Sequence, residues 1–208
     1  MPHRTIALRT HLNVRSGCFA FALYATFIGM DSAAQTASFN VHKGDEIVGH
    51  IVSVRTEMEA RTTYIITSFS EFNVVFDQTV ETQLVAHYND TALVSCYSIT
   101  KLNNNMRDSS HLMVQEERSL RYVHPGPART MGLPQSWTTA RMYYEEPLDR
   151  TTIFVESEMK DCPLVATGDG RYTLTMSGGK VNHYLYKDGV LHEILVDRGL
   201  VDLVFRRT

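Results

Sequence analysis

The chain has 208 residues, of which 43% are hydrophobic, 21% charged and 10% aromatic, with a formal net charge of −3. That length suits one domain, and the composition is too apolar for a disordered chain and too poor in Gly and Pro for a collagenous or low-complexity one. The mild acidity and the dispersed basic residues speak against a nucleic-acid partner, and 3 cysteines are too few for a disulfide scaffold.

From the N-terminus, His3, Arg4, Arg9, His11 and Arg15 form a basic stretch with no acidic residue. Arg15 and Asp31 then bracket an uncharged run, Ser16 to Met30, whose centre from Cys18 to Ile28 is apolar. Ser32 and Ala34 supply small residues at the −3 and −1 positions of a cleavage site. This is the order of a secretory signal peptide. The alternatives are an uncleaved anchor and a buried helix, but an anchor needs roughly 20 apolar residues to cross the hydrocarbon core. Val14-Arg15-Ser16-Gly17 is too polar for Cys18 to be a lipidation site. The expected organisation is therefore a cleaved signal peptide over 1–34 and a single antiparallel β domain over 35–208. The location would be periplasmic or extracellular, with no integral membrane segment in the mature chain. Removing Arg4, Arg9, Arg15 and Asp31 takes the 20 basic and 23 acidic side chains to 17 and 22, a net charge of −5. It also removes Cys18. The remaining Cys96 and Cys162 read as a candidate disulfide in an exported protein, or as two separate buried thiols.

Alternation of apolar and polar residues dominates the rest. Between Arg61 and Phe76, Tyr64 and Ile66 share one parity, Phe69 takes the other, and Phe72, Val74 and Phe76 return to the first, which predicts a bulge or bend. Val80, Leu84, Ala86 and Tyr88 alternate with Thr79, Glu81, Gln83 and His87; Tyr172, Leu174 and Met176 alternate with Arg171, Thr173 and Thr175. Val201, Leu203 and Phe205 close the chain in the same pattern. Turn signals stand between these runs at Lys43-Gly44-Asp45, Asn89-Asp90, Asn103-Asn104-Asn105, Gly168-Asp169-Gly170, Gly178-Gly179 and Asp188-Gly189. No stretch between strands is long and helical enough for a parallel crossover. The predicted fold is all-β: an antiparallel meander curling into a barrel or half-barrel, with one short helix or irregular lid segment.

That segment is His124 to Asp149, which holds Pro125, Pro127, Pro134 and Pro147 and the only tryptophan, Trp137. Proline gives no ladder donor, so it is not a central strand. A short helix from about Ser136 to Tyr144, capped by Ser136, would carry Trp137, Ala140, Tyr143 and Tyr144 toward the sheet. Trp137, Tyr143 and Tyr144 then either line and cover a ligand cavity or close the core.

No nucleophile elbow, P-loop or dinucleotide motif is present, and no cofactor is implied. His183 and His192 flank Asp188-Gly189. A two-residue turn would put them on one face, a diagonal step apart, whereas a three-residue loop with a bulge would separate them. No third ligand is evident, so no metal site is assigned. Glu145, Glu146, Glu156, Glu158 and Asp161 are the carboxylates available for acid–base work, but adjacent Glu145 and Glu146 point opposite ways in an extended segment.

Three local features resemble bacterial families of exported, β-rich proteins known only as domains of unknown function. Phe39-Asn-Val41 with Gly44-Asp-Glu-Ile47-Val-Gly49-His50 is similar to their opening hairpin. Met142-Tyr143-Tyr144-Glu145-Glu146-Pro147 resembles their aromatic–acidic–Pro segment. Gly170-Arg-Tyr172-Thr-Leu174 and Tyr184-Leu-Tyr186-Lys-Asp-Gly189-Val-Leu191 resemble their closing strands. The resemblance implies an export signal and one antiparallel meander or barrel, and no activity. The expected function is a non-enzymatic exported protein whose curved sheet can enclose a small or lipid-like ligand. The alternatives are a hydrolase using carboxylates or histidines, and a structural or protein-interaction module of the cell envelope.

Overall fold

The computed structural model describes residues 33–73, 76–116, 118–124, 126–134, 136–197 and 202–208. Residues 1–32 of the signal segment, with Cys18, and Val74 and Val201 lie outside the described residues. The first half of the chain is a run of hairpins: β1 (Ala33–Lys43), β2 (Glu46–Met58), β3 (Arg61–Asn73), β4 (Asp77–Asn89), β5 (Ala92–Leu102), β6 (Asn105–Gln115), β7 (Arg118–His124) and β8 (Arg129–Met131). A connection over 132–151 leads to β9 (Thr152–Val155), β10 (Lys160–Gly168), β11 (Arg171–Thr175), β12 (Val181–Lys187), β13 (Val190–Asp197) and β14 (Leu203–Arg207).

All are antiparallel neighbours in one 14-stranded sheet ordered β8 back to β1, then β14 back to β9. The chain therefore starts in the middle of the sheet, walks to one edge at β8, crosses to the other edge at β9 and returns until β14 pairs with β1. Phe39 lies opposite Arg207 in that closing pair. The sheet is a barrel left open between β8 and β9. β8 is only three residues long and lies between Pro127 and Pro134, which blunts that edge against further strand pairing.

Turn chemistry matches the sequence. Asn103 and Asn104 both take positive φ (50° and 63°), as do Asp188 and Gly189 (51° and 76°), the requirement of a tight two-residue hairpin turn. Register shifts fall beside several turns, between Val41 and His42, His87 and Tyr88, Thr100 and Lys101, and Leu185 and Tyr186. Each bulge adds twist, which curls the sheet.

β3 departs from expectation. It pairs without interruption with β2 over Arg61–Ser70 and with β4 over Arg61–Asn73, so no bulge resets it. The even parity holds throughout: Tyr64, Ile66, Ser68, Ser70 and Phe72 face inward, and Phe69 lies on the outer face beside the His50 ring at 6.0 Å. The apparent switch arose because two serines occupy inner positions.

The expected helix over Ser136–Tyr144 is one turn of 3-10 helix, Arg141–Tyr143, with Ala140 at its N-cap and no side-chain cap. The residues before it are committed elsewhere. Thr138 bridges Phe154 in parallel, and Phe154 donates its N–H to the Trp137 carbonyl at 2.8 Å. The Thr139 and Ala140 amides, which a cap would satisfy, donate to the Glu156 carboxylate at 3.2 and 3.0 Å. The core sits between this segment and the concave face of the sheet: Ala140, Met142, Ile153, Phe154 and Met159 are fully buried against Phe39, Tyr88, Leu112, Leu174 and Leu191.

Candidate functional site: a cavity beyond an internal plug

The aromatic–acidic–Pro segment is a brace in which successive residues reach different strands. The Met142 carbonyl accepts from the buried Tyr186 hydroxyl of β12 at 2.6 Å. Tyr143 meets Phe39 of β1 edge-on at 5.5 Å, and the Tyr144 hydroxyl donates to the Gln35 carbonyl at 3.2 Å. Glu145 accepts from Tyr64 of β3 at 3.2 Å, and Glu146 accepts from Tyr172 of β11 at 2.8 Å. The adjacent glutamates do point opposite ways, and each is spent on a tyrosine. Burial, then the Glu145 charge, push the Tyr64 hydroxyl up to about 12.

Trp137 is buried, with the Arg141 and Arg150 guanidiniums 4.4 and 5.0 Å from its ring. Arg141 also holds Glu145 through Nε and Nη2, at 2.9 and 2.7 Å. Tyr143 and Tyr144 are half-buried. Glu156 is fully enclosed; besides the two amides it accepts from the Thr139 hydroxyl, and burial raises its pKa against the pull of those hydrogen bonds. Glu158 is held instead by the Ser177 amide, by Lys160 and by the Cys162 thiol. Burial works to raise its pKa, but those partners bring it below the ordinary carboxylate range. The carboxylates thus stabilise the plug and the β9–β10 corner separately.

The histidine pair combines features of both readings. Asp188-Gly189 is a two-residue turn with Lys187 opposite Val190, but a bulge takes up His192, so Leu185 faces Glu193. His183 and His192 are both exposed, and His183 Nδ1 lies 3.0 Å from the Thr173 hydroxyl. Cys96 on β5 and Cys162 on β10 are each buried as free thiols. Burial pushes both pKa values up, that of Cys162 to about 11.

A cavity of about 480 Å³ opens toward the other end of the same strands. Along β3, Tyr64 touches the plug, whereas Ser68, Ser70 and Phe72 line this space. Its apolar wall is Phe72, Val80, Met176, Val196, Leu203 and Phe205. The polar lining is Ser68, Ser70, Thr82, Thr100 and Asp108 with Ser157, Glu158 and Lys180; Phe72 and Val80 share β3 and β4 with these hydroxyls, Val80 directly opposite Ser70. Trp137, Tyr143 and Tyr144 are not among its lining residues. Sequence reasoning missed this wall. Its signal was the pair Ser68 and Ser70 standing at inward positions between Ile66 and Phe72.

Residues 39–208 match the family described as Domain of unknown function (DUF6134). The chain belongs to that family. DUF6134 is an uncharacterised family, a domain of unknown function as the three local features led us to expect. Among solved structures, the fold is similar to a beta-barrel-like protein of domain of unknown function DUF1849 from Brucella abortus. The two are 11% identical with a TM-score of 0.51, over 83% of this chain and 95% of that one. No curated protein matches. The likeness shows a shared beta-barrel-like architecture.

Proposed function

We propose that this DUF6134 protein is exported and binds one small amphipathic molecule in the 480 Å³ cavity, without catalysis. The cavity carries the reading: it lies inside the curl of the sheet, in the size range of small-molecule sites, and its lining combines apolar side chains with hydroxyls. Of the carboxylates there, Glu158 is already bound by Ser177 and Lys160, and no histidine lines the space. The plug supports the reading by tying β1, β3, β11 and β12 together at the opposite end of the sheet.

Export rests on the basic, apolar and small-residue order of residues 1–34. Cleavage after Ala34 removes only the first two residues of β1 and leaves Gln35, whose carbonyl anchors Tyr144. N-terminal sequencing of chain recovered from the exported fraction of a bacterial host is expected to begin at Gln35. Recovery only from the cytoplasm, starting at Met1, would overturn it.

Binding is tested by titrating decanoate and an apolar fluorescent dye into the protein and into Val80→Trp and Leu203→Trp, which fill the cavity from two sides. One saturable site is expected in the wild type, and both fillers abolish it while their thermal unfolding remains cooperative. Equal binding by wild type and both fillers removes the cavity from the account.

A further inference from the structure

The polar wall of the cavity is ordered. Strand register puts Ser68 directly opposite Thr82, Thr82 opposite Thr100, and Thr100 opposite Asp108. All four line the cavity, so one row of oxygens runs across β3, β4, β5 and β6. At about 4.8 Å between neighbouring strands, the row is roughly 14 Å long. The inner face of a curled sheet is where apolar residues are expected, and the next level toward the plug is mixed, with Ile66 and Leu84 on β3 and β4 and the buried Ser98 and Ser110 on β5 and β6.

A second observation concerns the neighbouring position. Ser70 is only 6% exposed and lines the same cavity, which adds one more hydroxyl beside the row. Gly49, opposite it on β2, presents no side chain to cover it, and a Cβ there would come within 2.6 Å of Ser70 Oγ. Ser68 and Thr82 bond each other, Thr100 is half-buried, and Asp108 ends the row at an exposed position.

We propose that the cavity reads hydroxyl groups: its ligand is a hydroxyl-rich molecule of the sugar or polyol type, held edge-on by Ser70 and the Ser68–Thr82–Thr100–Asp108 row and face-on by Phe205 of β14. The inference rests on the cavity reading above and narrows it. Hydroxyls both donate and accept, and an ionised carboxylate only accepts, so the wall as a whole asks its ligand for donors. A bare alkyl chain would strip water from the row and return no hydrogen bond. A fatty-acid carboxylate placed there would meet Asp108 as a like charge. A sugar ring supplies hydroxyl donors along its edge and C–H groups across its face, which match a lining of hydroxyls and apolar side chains. Lys180 at the border is the one feature that favours an anion, so an anionic amphiphile is the proper competitor.

The test uses the domain as exported, with decyl β-maltoside, decanoate and free maltose titrated calorimetrically below their micellar concentrations. The variants are Ser70→Ala, Thr100→Val and Asp108→Asn. The maltoside is expected to bind at least about tenfold tighter than decanoate. Each variant should weaken the maltoside by about five- to tenfold, the worth of one hydrogen bond; Ser70→Ala and Thr100→Val should leave decanoate unchanged, and Asp108→Asn, which removes a like charge, should tighten it or leave it unchanged. Free maltose binding with similar affinity identifies a soluble saccharide as the source of the hydroxyls; maltoside binding without maltose binding identifies a sugar-headed lipid. Decanoate binding as tightly as the maltoside, or variants that weaken both alike, overturns the hydroxyl inference and leaves the cavity reading standing. If no probe binds in a way that Val80→Trp blocks, the cavity reading fails first.

Discussion

Met142→Ala probes the claim that the aromatic–acidic–Pro segment is an internal plug. Met142 is fully buried inside the curl, and its carbonyl accepts from Tyr186. The substitution leaves that hydrogen bond in place and removes the thioether arm alone. At ~0.8 kcal/mol per methylene-sized group, the lost transfer energy is about 2 kcal/mol. The sheet and plug brace each other, so the hole relaxes little, and the cavity term brings the expected loss to about 3 kcal/mol. For a domain of this size that lowers the thermal midpoint by roughly 6–12 °C. Met106, 57% exposed at the start of β6, is the control: Met106→Ala should stay within about 0.5 kcal/mol. Urea unfolding followed by circular dichroism gives both values from midpoints at a common slope. A loss below about 1 kcal/mol for Met142→Ala, level with Met106→Ala, refutes the interior placement of the segment.

Glu156 sets a pH dependence. Its folded pKa is raised, so the folded state holds the proton more tightly than the unfolded chain does. Stability from this group is full below the ordinary carboxylate pKa and falls as pH climbs toward the raised value. Glu156→Gln should flatten the stability profile above about pH 4.5, and parallel profiles for variant and wild type would contradict the burial argument. Gly49→Ala would place a Cβ 2.1 Å from the Phe69 carbonyl oxygen, forcing β2 from β3; a loss of about 1–3 kcal/mol in urea unfolding is expected, and none would mean the strands are looser than described. Cys96 and Cys162 should resist a thiol reagent at pH 8 in the native state and both react in denaturant without reductant. Failure to react in denaturant would reveal a bond between them.

Strand periodicity and turn chemistry were legible locally, because an alternating run and an Asn-Asn or Asp-Gly pair carry their own geometry. The bulge at His192 was not legible, since it depends on how β13 meets β12. The proline-broken segment announced itself as a non-strand, but its work as a brace is written in distant partners: Tyr172, Tyr186, Tyr64 and Gln35 lie 26, 44, 81 and 109 positions from the residues they bind. Glu156 had a signal that went unread, a charge ending the wholly apolar run Ile153-Phe154-Val155. Ser68 and Ser70 were present too, mistaken for a change of register because inward hydroxyls in mid-strand make sense only once an interior space is known.

Native mass spectrometry of the exported protein, purified without detergent or denaturant, tests the binding claim most directly. The account predicts a chain beginning at Gln35 that carries one small molecule, and its loss in the Val80→Trp variant. A wild-type spectrum showing the bare polypeptide, indistinguishable in ligand content from Val80→Trp, would contradict it.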